Sequence, residues 1–346
     1  MTKLDAATIL LTVVLTTACG SSEPVTPATE QTPYPNAETV VGEVLRVDPR
    51  LDELIATDAR IEKLADGFVF IEGPVWDRNE SRLLFSDVRG NTIYQWTETN
   101  GATPFIDPVF EGDRAGRGSI SSNGLTLDDE GRLVICEHGN RRISRLEADG
   151  SRSVVVDTYQ GNQLNSPNDA VYASDGSLYF TDPPYGLEGL EASPLRELDF
   201  NGVYRLRPDG ELEVLVQDQS RPNGIALSPD EQTLYVANSD AENMVWMAYD
   251  LDASGTSNPR VFYDVNDQAA PGAADGMKVD TTGNIFATGP GGVWVFAPDG
   301  THLGTIMPGE VTANVGWGDD GRTLYMTGST SLYRIRLETQ GLLPGP

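Results

Sequence analysis

Six polar residues recur at matched positions along the chain and could together hold a metal ion. Each stands just before a strand-like apolar run, 10 or 11 residues ahead of a recurring hydrophobic position; they are Glu72, Asn123, Asn168, Asn223, Asp275 and Asn314. Two carboxylates with several amide oxygens suit Ca²⁺ or a divalent ion of similar hardness. A zinc site is disfavoured because the chain has only two histidines and two cysteines.

The common register of these residues argues against six unrelated turns. Asn-Gly and Asp-Gly pairs are ordinary turn residues where φ is positive, and for any single repeat a turn is the simpler interpretation. Six positions in one register are harder to explain in that way, and Glu72 is a poor turn former. We therefore expect the six side chains to converge.

Internal repeats indicate how residues so distant in sequence could meet. The hydrophobic positions that follow the six polar residues are Leu83, Leu133, Leu178, Leu234, Ile285 and Leu324. Their spacings of 39 to 56 residues suit four-stranded propeller blades better than solenoid repeats. The sequence thus predicts an all-β fold, a six-bladed β-propeller with four-stranded blades. The first strand of each blade lines the central channel, so the six side chains meet at one mouth.

The last repeat lacks a fourth strand, because the chain ends after the run at residues 332–335. A spare strand-like run, residues 60–64, precedes the first blade. Docking this run onto the last blade would close the ring and cover an open sheet edge. We therefore expect an N-terminal strand to complete the propeller.

Composition excludes several functional classes. The net charge of -28 disfavours binding to nucleic acid or to anionic membrane surfaces. Cys136 lies in an apolar run, where a buried inert thiol is expected rather than a nucleophile. The chain has no Gly-x-Ser-x-Gly motif, so a serine hydrolase of that type is not indicated.

The N-terminus has the pattern of an export signal. A lysine and a short apolar stretch precede Cys19, which predicts a signal peptide over residues 1–18 that is too short to span a bilayer. The box around Cys19 resembles a bacterial lipoprotein cleavage site, with Cys19 as the lipidated residue. We expect a flexible tether over residues 19–57 and the propeller over residues 58–340. The protein is then an exported, periplasmic or cell-envelope lipoprotein that contacts a membrane only through its lipid; a plain secreted or cytoplasmic protein is the alternative.

Several segments resemble the SMP-30/gluconolactonase/luciferin-regenerating family of calcium-dependent six-bladed propellers, and its bacterial gluconolactonase branch in particular. The matching segments are EGPVW at 72–76, CEHGNRR at 136–142, NSPND at 165–169, YFTDPPYG at 179–186, FNGVY at 200–204, RPNGIA at 221–226 and DGMK at 275–278. The resemblance covers about residues 59–337. Animal members carry an arginine that helps to bind sugar where this chain has Ser166, so their sugar-binding mode is not expected here.

The resemblance implies a set of roles for the site. The metal, most simply Ca²⁺ with Mg²⁺, Mn²⁺ or Zn²⁺ as in vitro substitutes, would be held by Glu72, Asn168, Asn223 and Asp275. Asp275 would also serve as a base or nucleophile. The expected substrate-contacting or neighbouring residues are Asn123, His138, Asn314 and Asp169. For His138, an ordinary surface-loop histidine is the alternative.

The expected activity is hydrolysis of a sugar lactone, such as glucono-1,5-lactone, to its aldonic acid. Two alternatives stay open at this point. One is a related ester or phosphotriester hydrolase on the same metal site, because fold and motif do not fix the substrate. The other is a non-catalytic binding propeller that retains a structural ion.

Overall fold

The computed structural model describes residues 39–346, which form six antiparallel sheets arranged as blades in a ring. Blades 1 to 4 are each built from four consecutive strands. Blade 1 contains Ile71–Asp77, Arg82–Asp87, Thr92–Thr97 and Gly101–Ile106. Blade 2 contains Ser122–Leu127, Leu133–Glu137, Arg142–Leu146 and Arg152–Val156. Blade 3 contains Ala170–Tyr172, Leu178–Asp182, Gly202–Leu206 and Leu212–Val216. Blade 4 contains Pro222–Leu227, Thr233–Asn238, Val245–Asp252 and Gly255–Asp264.

Blades 5 and 6 each have five strands, because the N-terminal part of the chain adds strands to both. Blade 5 contains Met277–Val279, Ile285–Gly289, Gly292–Phe296, His302–Met307 and, outermost, Glu43–Arg46. Blade 6 contains Thr312–Gly318, Thr323–Gly328, Ser331–Arg336, then Ile61–Asp66 and Thr39–Val41. Small additional elements are the hairpin Thr158–Tyr159 with Asn162–Gln163 and the 3₁₀ helices Pro49–Glu53 and Leu190–Ala192.

The predicted six-bladed propeller and its closure are confirmed, whereas the four strands predicted for every blade become five in blades 5 and 6. The first strand of each blade contacts the first strand of the next blade around the whole ring, so these six strands line the channel. Strand Ile61–Asp66 pairs with Ser331–Arg336 in antiparallel register, with Ile61 opposite Ile335. The ring is therefore closed by an N-terminal strand, in the position that the spare run at residues 60–64 indicated.

The structure differs from the prediction for residues 39–57, which were expected to be a flexible tether. Thr39–Val41 pairs with the outer edge of blade 6 and Glu43–Arg46 with the outer edge of blade 5. Leu51 and Ile55 are fully buried against blades 5 and 6. Burial of these side chains and the hydrogen bonds of the two strand pairings offset the entropy cost of ordering the segment, which its composition alone suggested would stay flexible. The predicted signal peptide and Cys19 lie outside the described residues.

Apolar and aromatic side chains fill the spaces between blades. Trp76 of blade 1 stacks on Tyr325 of blade 6 with ring centroids 5.5 Å apart, and Phe286 of blade 5 meets Trp317 of blade 6 edge-on at 4.9 Å. Aromatic pairs of this kind contribute about 0.5–1.5 kcal/mol of stabilisation beyond that from the apolar area that they bury. The packing holds the inner strands at fixed positions around the channel. Residues 39–346 include no helix long and apolar enough to cross a membrane.

Candidate metal centre

The six predicted residues all lie where the inner strands begin. In blades 1, 2, 4 and 6 the inner strand has a β-bulge at this point, between Glu72 and Val75 in blade 1 for example. In blades 3 and 5 the regular strand starts just after Asn168 and Asp275. A bulge inserts an unpaired residue and redirects its side chain. The irregular start of each inner strand therefore carries the polar residue.

The glycines after these residues are needed for close approach of the strands. A Cβ atom on Gly124 would lie 2.5 Å from Asn168 O, and one on Gly224 would lie 2.2 Å from Asp275 O. A Cβ on Gly276 would lie 2.0 Å from Cγ of Asn314. Gly124, Gly224 and Gly276 do not have positive φ. In blade 1, Gly73 has a φ of 56°, and a Cβ there would lie 2.2 Å from Asn123 O. The X-Gly pairs thus mark contact between neighbouring inner strands, and the pair in blade 1 also needs a positive φ.

Direct contacts tie the converging side chains together. The Asn314 amide nitrogen lies 3.5 Å from Asp169 Oδ2, and Asn314 also opposes the rise in the pKa of Glu72. The side chain of Asn223 lies close enough to Asp275 to oppose the rise in the pKa of that carboxyl. Asn123 and Asn168 are joined through the backbone, because Gly124 N–H donates to Asn168 O at 2.6 Å. The structure therefore brings the six residues and Asp169 to one level of the channel.

Several buried oxygens at this level have no hydrogen-bond partner. They are Oδ1 of Asn123, Oδ1 of Asn168 and Oδ1 of Asp275. A buried acceptor without a partner costs about 1–3 kcal/mol, and a hard cation satisfies such oxygens directly. In the described part of the chain, no three His, Cys, Asp or Glu side chains are grouped to hold a metal. A cation here must use amide oxygens, which fits Ca²⁺ and disfavours zinc.

The charges of the site also fit a divalent cation. Burial raises the pKa of Glu72 to about 7 and raises that of Asp275, and their mutual repulsion and that of Asp169 add to the effect. Lys278 Nζ lies 3.8 Å from Asp169 Oδ2. Counted as formal charges, three carboxylates and one ammonium leave two negative charges. A divalent ion would neutralise them and would favour the ionised forms of Glu72 and Asp275.

Lys278 was not predicted as part of the site. Its Nζ also donates to Met277 O at 3.0 Å, and its side chain lines a cavity at the opposite end of the channel. That cavity, about 740 Å³, is lined by the last residues of the inner strands and by Leu342–Gly345. None of the six predicted residues lines it. The DGMK segment contained the lysine, but nothing local indicated that it faces the channel.

Polar residues at the ends of the second strands hold the backbone that leads into the site. Asp87 accepts from the N–H groups of Val69 and Phe70 at 2.9 and 3.1 Å, just before Glu72. Asp182 accepts from Asn165 and Ser166, both at 2.7 Å, just before Asn168. Asn238 does the same for Arg221 N–H at 2.7 Å, before Asn223. Glu137 of blade 2 differs, because its carboxylate accepts hydrogen bonds from side chains, namely those of Asn140, Arg142, Ser144 and Arg152.

His138 is completely buried rather than a surface-loop residue. Its Nδ1 lies 2.6 Å from Ser119 Oγ, and its Nε2 has no partner. Burial lowers the pKa of His138 to about 3, so the ring is neutral at ordinary pH. A role in substrate contact stays a prediction. Cys136 is buried, and burial raises the pKa of its thiol well above the usual value, which disfavours a nucleophilic role.

Fold and site together define the class of protein. It is a six-bladed β-propeller that places oxygen-bearing side chains from all six inner strands at one mouth of its channel. The chain belongs to the SMP-30/Gluconolactonase/LRE-like family, whose model matches residues 70–330. This range contains every residue predicted for the site, other than the lipidation site Cys19.

Individual relatives agree with the family. A gluconolactonase from Zymomonas mobilis is 40% identical over 315 residues, which is 88% of each chain. Pentonolactonase XacC from Haloferax volcanii is 28% identical over 263 residues, 74% of this chain and 80% of that one. The solved structure of a gluconolactonase from Xanthomonas campestris is 32% identical, has a TM-score of 0.76, and covers 87% of this chain and 98% of its own.

Proposed function

We propose that this protein is a metal-dependent lactonase that hydrolyses a sugar lactone such as glucono-1,5-lactone to its aldonic acid. The main support for a lactone substrate is the 40% identity to a gluconolactonase over 88% of both chains. The unpartnered oxygens at the channel mouth support the metal. A nucleic acid is not expected as a partner, given the net charge of -28.

Glu72, Asn168, Asn223 and Asp275 are the proposed ligands, with Ca²⁺ as the favoured ion ahead of Mg²⁺, Mn²⁺ or Zn²⁺. Oδ1 of Asn168 and Oδ1 of Asp275 have no other partner. Asn314 is better suited to positioning, because its Oδ1 already accepts from Val315 N–H at 2.8 Å and its amide N–H groups point at carboxylates. Asn123 keeps a free Oδ1 for substrate or water.

A bound divalent cation supplies Lewis-acid polarisation of a carbonyl oxygen. Asp275 is the carboxylate at this level that is partly exposed at the mouth, with a free Oδ1. In this proposal it accepts a proton from water as the water oxygen bonds to the lactone carbonyl carbon. The ring C–O bond then breaks and the proton passes to the ring oxygen, which becomes the hydroxyl of the aldonic acid.

The test is glucono-1,5-lactone hydrolysis by the purified protein above the spontaneous rate, after chelation and after adding back Ca²⁺, Mg²⁺, Mn²⁺ or Zn²⁺ separately. We expect one of these ions to restore activity, and Glu72→Gln and Asp275→Asn to lose at least about a hundredfold in kcat/KM. The exposed Glu80→Gln is the matched control and should be unaffected.

Folded protein that binds a cation but hydrolyses no lactone would contradict the proposed substrate. It would favour another ester, or a binding role for the propeller. Activity that survives chelation and both carboxylate variants would contradict the proposed site instead.

We also propose export and lipidation at Cys19, with residues 1–18 as the signal peptide and the mature protein in the periplasm or cell envelope. The sequence pattern around Cys19 supports this proposal. Cys19→Ala should move the protein from the membrane fraction to the soluble fraction. An unchanged distribution would refute the lipid anchor.

A further inference from the structure

Tyr185 joins two long loops at the channel mouth. It lies in the loop between the second and third strands of blade 3, residues 183–201. Its carbonyl oxygen accepts from Ser119 N–H at 3.2 Å and from Ser119 Oγ at 3.1 Å, in the loop that leads into blade 2. Gly186 O accepts from Gly118 N–H at 3.0 Å beside it. The backbone of Tyr185 is thus fixed by its neighbours.

The side chain of Tyr185 reaches across to blade 4. Its hydroxyl is hydrogen-bonded to Ser239 Oγ, and Asn223 Nδ2 donates to the same Ser239 oxygen at 3.2 Å. The position of Ser239 is set by its backbone N–H, which donates to Arg221 O at 3.0 Å. A chain of hydrogen bonds therefore runs from a loop residue to a proposed cation ligand.

This chain decides which end of the Asn223 amide faces the channel. The amide nitrogen has two hydrogens, and one of them goes to Ser239 Oγ. The amide oxygen is then the group left to bind a cation. Without Ser239, the amide could rotate and present its nitrogen, which cannot act as a ligand.

We propose that Tyr185 and Ser239 are positioning residues that fix the Asn223 amide with its oxygen toward the bound cation. The inference rests on the proposed function in one respect, namely that Asn223 is a ligand. Neither residue needs to touch the cation. Tyr185 holds Ser239, and Ser239 holds the amide.

The experiment is calorimetric titration of Ca²⁺ into the chelator-treated full-length protein and its variants. Loss of a residue that orients a ligand weakens metal binding about 10- to 100-fold. We expect Ser239→Ala to weaken Ca²⁺ affinity by about tenfold or more, and Tyr185→Phe by a smaller factor of about three to ten. Ser239→Thr keeps the hydroxyl and should restore most of the affinity. The matched control is Tyr249→Phe, whose hydroxyl accepts from Gln219 elsewhere in blade 4.

Stability without Ca²⁺ and lactone kinetics are measured on the same samples. Wild-type Ca²⁺ affinity in both Tyr185→Phe and Ser239→Ala would overturn the inference. So would a loss of Ca²⁺ affinity in these two variants no larger than that in the control Tyr249→Phe. Weakened Ca²⁺ binding with no lactone hydrolysis by any sample would leave the inference standing and remove the proposed substrate. A wild-type protein that binds no Ca²⁺ would overturn the inference together with the calcium site.

Discussion

His138 is neutral and buried, and its burial makes the stability of the fold depend on pH. Its pKa falls to about 3 because burial opposes the charged form, whereas an exposed histidine titrates near 6.5. Between these values the unfolded chain holds a proton that the folded protein does not. The contribution to stability is therefore complete above about pH 6.5 and is lost as pH falls toward 3.

We expect this group to change the free energy of unfolding by up to about 1.4 kcal/mol per pH unit within that window. His138→Gln keeps a hydrogen-bonding side chain beside Ser119 and should flatten the profile between pH 7 and pH 5. The measurement is chemical unfolding of both proteins at the two pH values. His302→Gln, at a partly buried site, should flatten it less. An unchanged slope in His138→Gln would contradict the assignment.

At the scale of the elements, the backbone that leads into the inner strands of blades 1, 3 and 4 depends on a residue from the adjacent second strand. Asp182 shows this most clearly, because its two oxygens each take one backbone N–H, from Asn165 and Ser166. Asn238 suffices in blade 4, since there one oxygen accepts from Arg221 while its amide donates to Asn243 O at 2.8 Å. The choice between acid and amide therefore follows from the backbone groups that each strand end must satisfy.

Asp182→Asn should lower the free energy of unfolding by about 1–3 kcal/mol, because one buried N–H would then face an amide N–H. It should also reduce cation affinity, since Asn168 follows this segment. Unfolding and Ca²⁺ titration measure the two effects, with the exposed Asp218→Asn as the control. Stability equal to wild type would show that the loop does not need the carboxylate.

Much of the site was predictable because its signal is periodic. The polar residue recurs in each blade, and a glycine follows it in blades 1, 2, 4 and 5. Position along the chain therefore translates into position around the channel. Lys278 and the Tyr185–Ser239 contact have no such signal. Lys278 occurs in one blade only, and Tyr185 meets a residue 54 positions away through a loop with no repeat. Contacts of that kind depend on the assembled ring, which sequence periodicity does not describe.

At the scale of the whole molecule, residues 39–57 fasten blade 6 to blade 5. Gly42, with φ of 65°, turns the chain from the edge of one blade to the edge of the other, and a Cβ there would lie 2.0 Å from Met307 O. The composition of residues 19–57 suggested a tether. It could not show the strand pairings, because the partner strands lie far along the chain. Only the assembled ring provides the two edges and the pocket for Leu51.

Leu51→Ala should cost about 2–5 kcal/mol of stability, because the side chain is completely buried among residues of blades 5 and 6. Leu45→Ala is the matched control in the same segment. That leucine is 50% exposed, and its loss should cost less than about 0.5 kcal/mol. Guanidinium unfolding compares the two. Equal, small effects would mean that the segment is not part of the folded core.

Closure of the ring by Ile61–Asp66 also sets an order of events during synthesis. This strand leaves the ribosome before any blade is complete, yet its partner Ser331–Arg336 follows the first five blades along the chain. Such a pairing has high contact order and cannot form on a partly made chain. A message that stops before residue 331 would yield five finished blades with two uncovered flanks, a species prone to aggregate. Formation of the complete ring therefore depends on one strand pairing between distant parts of the chain, which converts an open arc into a closed fold.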